Sequence, residues 1–291
     1  MTVSIGAKTE VLIEALPYIQ QYEEKTFVVK YGGAAMIEED LRETFAQDVT
    51  ILKKIGMRMV IVHGGGREIT QMADRLGIPT RFVDGQRYTD EAMIDVVQMV
   101  LAGKTNKDIV ARINRHDGEA VGLCGLDVHL LKAQRHQPKN ADLGLVGEIA
   151  DVNTEYLELL LGNGIMPVIA PIAVGTEGEV LNVNADLAAG AIASALQAEK
   201  LVYLSDVPGV MAGEELIHSI DRPMARDLSQ SGVIGAGMLP KLHSAFNALE
   251  SGVHKVHMID GRVKHSLLLE IFTDEGVGTQ IVPEGEGKVR P

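Results

Sequence analysis

The 291-residue sequence has a single cysteine, Cys124, and far fewer basic than acidic side chains. One cysteine excludes a disulfide framework, and we predict a buried strand position for Cys124, as in a protein of the reducing cytoplasm. The 27 Lys and Arg residues against 40 Asp and Glu residues give a formal net charge of −13, which opposes general binding to nucleic acids or anionic membranes. No apolar run reaches membrane-spanning length, and the charged N-terminal segment lacks a signal-peptide core, so the sequence predicts a soluble protein.

Two familiar nucleotide-binding motifs are also missing. The segment Gly103-Lys104-Thr105 resembles the end of a P-loop, but Gln98 stands where that motif requires its first glycine. Gly235 and Gly237 begin a dinucleotide-binding fingerprint, but Pro240 replaces its third glycine. Neither motif is complete, and the same glycine spacing excludes an NAD-binding oxidoreductase.

Short apolar runs alternate with helical patterns along the chain. The strand-like runs are 26–31, 57–63, 118–123, 166–172, 200–205 and 254–260. The helical patterns are 38–55, 66–76, 90–114, 154–163, 186–197 and 240–251. This alternation predicts an α/β fold, a three-layer α/β/α sandwich with a mainly parallel central sheet.

Three stretches interrupt this rhythm. Thr80–Tyr88 and residues 127–152 are predicted to form hairpins that cover a substrate. Residues 173–179 are predicted to separate two lobes. The expected organisation is therefore an N-terminal helix in residues 1–25, a first lobe in residues 26–175 and a second lobe in residues 176–291.

Two of the apolar strands run directly into glycines. Gly32 and Gly33 follow the first strand, and Gly64 and Gly65 follow the second. Backbone N–H groups of such turns meet at the carboxyl edge of a parallel sheet, where anions bind, so phosphate is the predicted ligand. Lys30 would place a positive charge beside these donors. The alternative interpretation is a pair of tight strand-to-helix turns, and the presence of both turns weakens it.

Further polar residues precede two helices. Asn182, Asn184 and Asp186 come just before an Ala-rich helix, where Asn184 or Asp186 could be the N-cap, but three polar side chains exceed what a cap requires. Lys241 begins another helix behind a glycine-rich turn, and a lysine in the first turn suggests a bound anion because the helix dipole disfavours it there. The turn Ser205–Val210 closes a further strand, as expected for the rim of a nucleotide pocket.

Six short motifs, taken in order, resemble those of the acetylglutamate kinase family within the amino-acid kinase superfamily. They are Lys30-Tyr31-Gly32-Gly33, His63-Gly64-Gly65-Gly66, Gly85-Gln86-Arg87-Tyr88-Thr89, Asn182-Val183-Asn184-Ala185-Asp186, Ser205-Asp206-Val207-Pro208-Gly209-Val210 and Gly237-Met238-Leu239-Pro240-Lys241. The resemblance covers about residues 26–282 and implies the two-lobed amino-acid kinase fold. It also implies ATP-dependent phosphorylation of the side-chain carboxylate of N-acetyl-L-glutamate, the second step of arginine biosynthesis. A carboxylate nucleophile has no proton to lose, so this chemistry needs aligned anions and neutralised charge rather than a general base.

The resemblance also implies roles for individual residues. Lys30 and Lys241 would be catalytic, with Asp186 orienting both. The phosphoryl group is expected on the backbone of Gly32, Gly33, Gly64 and Gly65. The substrate is expected on Gly64, Gly65, Arg87, Asn182 and Asn184, with Arg87 binding its α-carboxylate. ATP is expected against Ser205, Asp206, Val207, Pro208, Gly209, Val210, Met211, Val233, Ile234 and Gly235. Magnesium would be held mainly by phosphates and water, without a protein metal site.

Residues 8–24 form an amphipathic helical pattern ahead of the first core strand. The periodicity is compatible with packing on the same subunit and with a contact between subunits. Family members with such a helix form arginine-inhibited hexamers, so the resemblance implies a homohexamer, a trimer of dimers, with arginine as effector. It places Tyr18, Glu275 and Gly278 in the effector site.

Other functions fit the sequence less well. An aspartate kinase is disfavoured by the motifs around Arg87 and Asn182 and by the lack of a C-terminal regulatory domain. A catalytically silent arginine-sensing or scaffold protein is disfavoured because the catalytic residues are intact. His254 and His257 would point to opposite faces of a strand, which argues against a metal site. The sequence leaves open whether a nitrogen-signalling PII protein binds.

Overall fold

Strands and helices alternate along the chain, as the periodicity predicts. The computed structural model describes residues 5–83, 85–136, 138, 142–235, 238–273 and 276–287. The strands are β1 (Thr26–Tyr31), β2 (Arg58–His63), β3 (Phe82–Val83), β4 (Gln86–Arg87), β5 (Ala120–Cys124), β6 (Leu131–Arg135), β7 (Val146–Val152), β8 (Met166–Ala170), β9 (Ile172–Val174), β10 (Val180–Val183), β11 (Lys200–Ser205), β12 (Val210–Ala212), β13 (Glu215–Ile217), β14 (Ser219–Ile220), β15 (Lys255–Asp260) and β16 (Thr279–Ile281).

The helices lie mostly between these strands. The α-helices are α1 (Ile5–Tyr22), α2 (Glu39–Lys54), α3 (Gly66–Leu76), α4 (Glu91–Gln98), α5 (Asn106–Arg115), α6 (Thr154–Gly162), α7 (Ala185–Ala195), α8 (Arg222–Gln230), α9 (Leu239–Glu250) and α10 (Ser266–Ile271). Short 3₁₀ segments span Gly33–Met36 and Asp127–His129, and a π-helical segment spans Met99–Thr105. None of the helices in the described ranges combines the length and the apolar character needed to cross a bilayer.

One large sheet forms the centre of the molecule. Among the described strands it has the order β14, β16, β15, β11, β1, β2, β8 and β5. β14 and β16 run together at one edge, opposite in direction to the other six strands. The central strands are buried along nearly their whole length, which is typical of a parallel sheet covered on both faces.

Alternate residues of β1 show the three layers directly. Val28 packs into a core that contains residues of α6, α7 and α9. Phe27 and Val29 pack into a second core, on the other face, with residues of α2, α5 and α10. Successive side chains of a strand point to opposite faces, so these two cores are the two helix–sheet interfaces of a sandwich. The predicted fold class is confirmed.

A small closed barrel of β6, β7, β9 and β10 accompanies the large sheet. The predicted hairpins are present in the described residues, as β3 with β4 and as β6 with β7. β9 and β10 pair with each other across residues 175–179, so both sides of the proposed lobe boundary contribute to one barrel. The division of the chain at residue 175 stays a prediction.

Several elements differ from the expected pattern. The predicted helix 90–114 is divided into α4, the π-helical segment and α5. The predicted strand 166–172 is divided at Pro171, which has no N–H group to continue the hydrogen-bond ladder. The pattern did not predict α8, which is rich in polar residues, or the short strands β12–β14 and β16.

The C-terminal end of α1 packs on its own subunit. Tyr22 is buried and lies edge-on against the ring of Phe27, with ring centroids 5.2 Å apart. Val11, Ile13 and Leu16 are 61%, 64% and 49% exposed, which is a large apolar exposure for one helix. Packing on the same subunit and a contact between subunits are therefore both compatible with this arrangement of α1.

Candidate active site

The carboxyl ends of three neighbouring strands bring together segments that are far apart in sequence. Lys30 on β1 is in register with Val62 on β2 and with Tyr203 on β11. The glycines after β1 and β2 and the turn after Ser205 therefore lie along one edge of the sheet. This is the edge at which parallel sheets bind ligands.

Lys30 is buried at this edge, with 7% of the residue exposed. A Cβ atom on Gly32 would lie 2.5 Å from Lys30 Nζ. A side chain at position 32 would therefore require the Lys30 ammonium group to move. The first of the two glycine turns is thus explained in part by the lysine that precedes it.

Asn184 is the N-cap of α7. Its Oδ1 atom accepts hydrogen bonds from the N–H groups of Asp186, at 2.8 Å, and Leu187, at 3.2 Å. Such a cap satisfies backbone donors that the first turn of a helix leaves without partners. Of the two N-cap residues that the sequence allowed, the structure has Asn184, and the carboxylate of Asp186 is left for other contacts.

The Asp186 carboxylate lies between two ammonium groups. Its Oδ1 atom is 3.0 Å from Lys30 Nζ, and its Oδ2 atom is 2.6 Å from Lys241 Nζ. Lys241 donates a hydrogen bond, whereas the Lys30 contact is an ion pair without hydrogen-bond alignment. The three residues predicted to be catalytic are therefore brought together from β1, α7 and α9.

The charges of this trio oppose the effect of burial. Burial raises the pKa of Asp186, but the positive charges of Lys30 and Lys241 outweigh it and hold that pKa below its usual range. Burial and the neighbouring charge of Lys30 lower the pKa of Lys241. One carboxylate between two ammonium groups carries a net positive charge, which suits a transferring phosphoryl group whose negative charge is spread over several oxygens.

Lys30 and Asp186 line a cavity of about 410 Å³, which we call the acceptor cavity. Arg87 on β4 lies in its wall and donates hydrogen bonds of 2.7 Å to Gly66 O and to Thr70 Oγ1 on α3. Burial lowers the pKa of Arg87, yet an arginine stays charged in proteins. No carboxylate of the described residues forms an ion pair with this guanidinium. A buried guanidinium held only by neutral groups is suited to bind a carboxylate.

The other predicted substrate residues also line the acceptor cavity. Asn182 Nδ2 donates to Thr89 Oγ1 at 3.2 Å. The N–H group of Gly64, expected to bind the phosphoryl group, instead donates to Tyr31 O at 2.8 Å and adds one bond to the β1–β2 ladder. The N–H group of Gly65 has no acceptor among the described residues. The Gly65 N–H group is therefore open to a ligand at this turn.

His63 holds the same turn from within the sheet. Its Nδ1 atom is 2.7 Å from Gly64 O, and its Nε2 atom is 3.1 Å from Asn106 Nδ2. Burial lowers the pKa of His63 to about 4, so the ring is neutral near pH 7. Because Asn106 donates to Nε2, we assign the ring proton to Nδ1, which donates to Gly64 O.

Lys241 lines a second cavity of about 360 Å³, which we call the nucleotide cavity. The remaining lining residues are mostly apolar: Ser205, Val207, Gly209, Val210, Met211, Val233, Ile234, Gly235 and Met238. They include every residue predicted to contact ATP except Asp206 and Pro208. Apolar walls beside a single lysine suit a flat base whose phosphates extend towards the lysine.

Asp206 lies beside the glycine turn after β1. Its carboxylate accepts a hydrogen bond from the N–H group of Ala34. Gly33 has a φ angle of +67°, and a Cβ atom there would collide with this carboxylate. Asp206 therefore shapes the glycine turn after β1 rather than the wall of the nucleotide cavity.

A third cavity, of about 190 Å³, lies near the amino end of β11. Its lining includes Tyr18, Lys200, His257, Glu270 and Gly278. Lys200 Nζ is 3.2 Å from Glu270 Oε1, and His257 Nδ1 contacts the same oxygen. Two of the predicted effector residues thus border one cavity, and the third, Glu275, lies outside the described residues.

Sequence reasoning missed two parts of the acceptor cavity. Thr70 holds Arg87 in place, and its position four residues after Gly66 in α3 was an available signal. Leu101 belongs to the π-helical segment and lies against Gly65, where a Cβ atom would be 2.5 Å from its Cδ2 atom. Its position depends on the π-helical register, for which the sequence carries no local pattern.

Comparisons with known proteins agree with this geometry. The sequence profile of the amino acid kinase family matches residues 25–260. An acetylglutamate kinase of Chlorobium chlorochromatii (strain CaD3) is 55% identical over 273 residues, which cover 94% of this chain and 95% of that protein. The acetylglutamate kinase of Aquifex aeolicus (strain VF5) is 54% identical over 292 residues, which cover 95% of this chain and 98% of that protein.

Solved structures of a larger protein have the same fold. N-acetylglutamate synthase from Neisseria gonorrhoeae, complexed with coenzyme A and N-acetyl-glutamate, matches 97% of this chain with a TM-score of 0.85 and 28% identity. The same synthase complexed with coenzyme A and L-arginine matches 96% of this chain with a TM-score of 0.80 and 27% identity. This chain spans 64% and 66% of the length of those two chains. From the residues matched and the identities above, the chain belongs to the amino acid kinase family and groups with its acetylglutamate kinases.

Proposed function

We propose that this protein transfers the γ-phosphoryl group of ATP to the side-chain carboxylate of N-acetyl-L-glutamate. The observation that carries the proposal is the position of Asp186, which joins Lys30 in the acceptor cavity to Lys241 in the nucleotide cavity. Phosphoryl transfer brings two anions together in line, so the junction between them needs positive charge. The pair of lysines supplies that charge, with one lysine in the lining of each cavity.

The charges of the acceptor cavity favour an acetylated substrate. Its described lining contains Lys30, Arg67 and Arg87 but only one carboxylate, Asp186, which is already paired with two lysines. A free amino acid would bring an α-ammonium group that finds no free carboxylate there. Acetylation removes that charge, and the apolar side chains in the lining suit the added methyl group.

The reaction needs no general base. A carboxylate oxygen of the substrate attacks the γ-phosphorus and forms a new P–O bond, while the bond to the β–γ bridging oxygen breaks and ADP takes its electron pair. Lys30 and the Gly65 N–H group would hold the γ-phosphoryl oxygens, and Lys241 would neutralise the leaving phosphates. Magnesium bound to the phosphates would neutralise further charge and would take mostly water as additional ligands.

An acceptor comparison tests this proposal. Purified protein with ATP and hydroxylamine should form acyl hydroxamate with N-acetyl-L-glutamate and far less with L-glutamate, L-aspartate or N-acetyl-L-aspartate. ADP release, followed in parallel, should match hydroxamate in amount. Equal or greater activity with aspartate would refute the assignment, and ADP release without hydroxamate would refute transfer to a carboxylate.

We also propose regulation by arginine in a homohexamer, a trimer of dimers that works in the cytoplasm. The exposed apolar residues of α1 support a contact between subunits, because a face of this kind is normally covered. Tyr18 of α1 and Gly278 both border the third cavity, which supports an effector site beside this helix. The solved complex of the Neisseria synthase with L-arginine supports an arginine site in this fold.

A further inference from the structure

Two buried hydroxyl groups lie directly behind Asp186. Tyr203 on β11 is fully buried, and Ser244 on α9 is 3% exposed. Ser244 Oγ donates a hydrogen bond of 2.7 Å to the backbone oxygen of Asp186, and Tyr203 Oη is 2.8 Å from Ser244 Oγ. The serine hydrogen is used in the first bond, so the Tyr203 hydroxyl donates to Ser244. Tyr203 Oη is also 3.4 Å from the Asp186 oxygen.

This pair connects the three elements that carry the charged residues. Tyr203 is the register partner of Lys30 across β1 and β11. Ser244 lies three residues, about one helical turn, after Lys241 on α9. Both hydroxyls reach the backbone of Asp186 at the start of α7. The relative position of Lys30, Asp186 and Lys241 is therefore fixed from behind by two neutral side chains.

A glycine in α7 makes this contact possible. Gly190 is the only glycine of the Ala-rich helix Ala185–Ala195, and glycine weakens a helix relative to alanine. A Cβ atom on Gly190 would lie 2.4 Å from Ser244 Oγ and 3.4 Å from Tyr203 Oη. Gly190 therefore allows α7 to approach the two hydroxyls closely enough for the bond to Asp186.

We infer that Tyr203 and Ser244 are positioning residues for phosphoryl transfer, since their hydroxyls hold Asp186 where it keeps both lysines aligned. The inference rests on the proposed kinase function. Neither residue lines the acceptor cavity or the nucleotide cavity, so neither contacts the substrates there. Loss of either hydroxyl should displace the charged groups slightly, and small displacements in a reacting site lower the rate more than they lower binding.

Steady-state kinetics of Tyr203→Phe and Ser244→Ala test the inference. We expect kcat to fall about tenfold in each variant, with KM for both substrates changed by less than about twofold. Gly190→Ala should also lower kcat, because the new methyl group would displace Ser244, although alanine favours the helix. Wild-type kcat in Tyr203→Phe and Ser244→Ala, or losses confined to KM, would overturn the inference.

Ser194→Ala is the matched control. Ser194 Oγ donates a hydrogen bond of 2.8 Å to Gly190 O on the same helix, so its removal also deletes a serine-to-carbonyl bond from α7. That bond does not reach Asp186. We expect kcat of Ser194→Ala to stay within about twofold of wild type, even where urea unfolding shows a loss of stability similar to that of Ser244→Ala. An equal loss of kcat in Ser194→Ala would show that general destabilisation explains the loss in Ser244→Ala, and it would overturn the inference.

A second measurement does not depend on the substrate. In ligand-free protein, the side chain of Lys241 is only 18% exposed and its ammonium group is paired with Asp186, so acetic anhydride should modify it slowly. Mass spectrometry should show faster acetylation of Lys241 in Ser244→Ala than in wild type or Ser194→Ala. If the wild-type protein phosphorylates no acceptor, the proposed function fails while this labelling still decides the positioning role. Unchanged labelling of Lys241 would then overturn it.

Discussion

Lys241 Nζ lies 2.6 Å from Asp186 Oδ2, and this contact ties a residue of the nucleotide cavity to a residue of the acceptor cavity. Lys30 contacts the other oxygen of the same carboxylate. A single buried aspartate thus sets the separation of two cations that belong to different elements. This arrangement fits a reaction without a proton transfer, in which the alignment of the substrates and the positive charge of the lysines are needed and a general base is not.

Removal of either cation should reduce turnover strongly. We expect Lys30→Ala and Lys241→Ala each to lower kcat by about 10²-fold or more, because each deletes a preorganised positive charge from the transfer site. Lys104→Ala is the control, since Lys104 is 62% exposed and pairs only with Asp108 on the surface of the described chain. Steady-state kinetics and circular dichroism check this prediction, and wild-type turnover in a folded Lys30 or Lys241 variant would contradict it.

Arg87 should determine acceptor binding more than catalysis. We expect Arg87→Lys to raise KM for N-acetyl-L-glutamate by about tenfold or more, because a lysine cannot reproduce bidentate binding of a carboxylate. KM for ATP should stay near the wild-type value. Arg81→Lys is a matched control, since Arg81 lies over the ring of Tyr88 at the same hairpin and does not line the acceptor cavity. A rise in KM for ATP of the same size would contradict this role of Arg87.

The parallel sheet and its ligand-binding edge could be predicted from local patterns. β1, β2, β8, β11 and β15 are apolar runs bounded by glycine, proline or polar turns, and parallel pairing places their carboxyl ends together. The catalytic residues were predicted for the same reason, since Lys30 lies near the end of a strand and Asp186 and Lys241 lie in the first turns of helices. Asn184 shows the limit of this reasoning, because a cap and a ligand-binding residue have the same sequence pattern.

Features that depend on long-range contacts could not be predicted. The small barrel requires β10 to pair with β7, where Asn182 is in register with Val146, and the local pattern of a strand does not identify its partner. The bond of the Gly64 N–H group to Tyr31 depends on the register of two strands. The hydroxyl pair of Tyr203 and Ser244 left one local trace, the glycine at position 190 of an Ala-rich helix.

His63 should make stability depend on pH in mildly acidic solution. Burial lowers its pKa from 6.5 to about 4, so the folded protein binds fewer protons than the unfolded chain between these values. Its contribution to stability is therefore complete above about pH 7 and is lost as the pH falls. The difference in unfolding free energy between wild type and His63→Gln should shrink by about 2 kcal/mol from pH 7 to pH 5.

Urea unfolding at several pH values measures this difference. His254→Gln is the control, because His254 is 61% exposed and contacts Glu199 at the surface. Its difference from wild type should change far less over the same pH range. A constant difference between wild type and His63→Gln would mean that His63 is protonated as readily in the folded protein as in the unfolded chain.

The last prediction separates assembly from effector binding in α1. Ile13→Glu combined with Leu16→Glu places charges on the exposed apolar face, while Tyr22 keeps its contact with Phe27, so the subunit should fold and remain active. We expect light scattering to show an oligomer smaller than a hexamer. Arginine sensitivity should fall as well, because a ligand shifts an assembly only through different affinities for its states.

Tyr18→Ala should lose arginine sensitivity without a change in oligomer size, since Tyr18 borders the third cavity. A double variant that stays hexameric and fully inhibited would refute the role of α1 in assembly and leave the kinase function untouched.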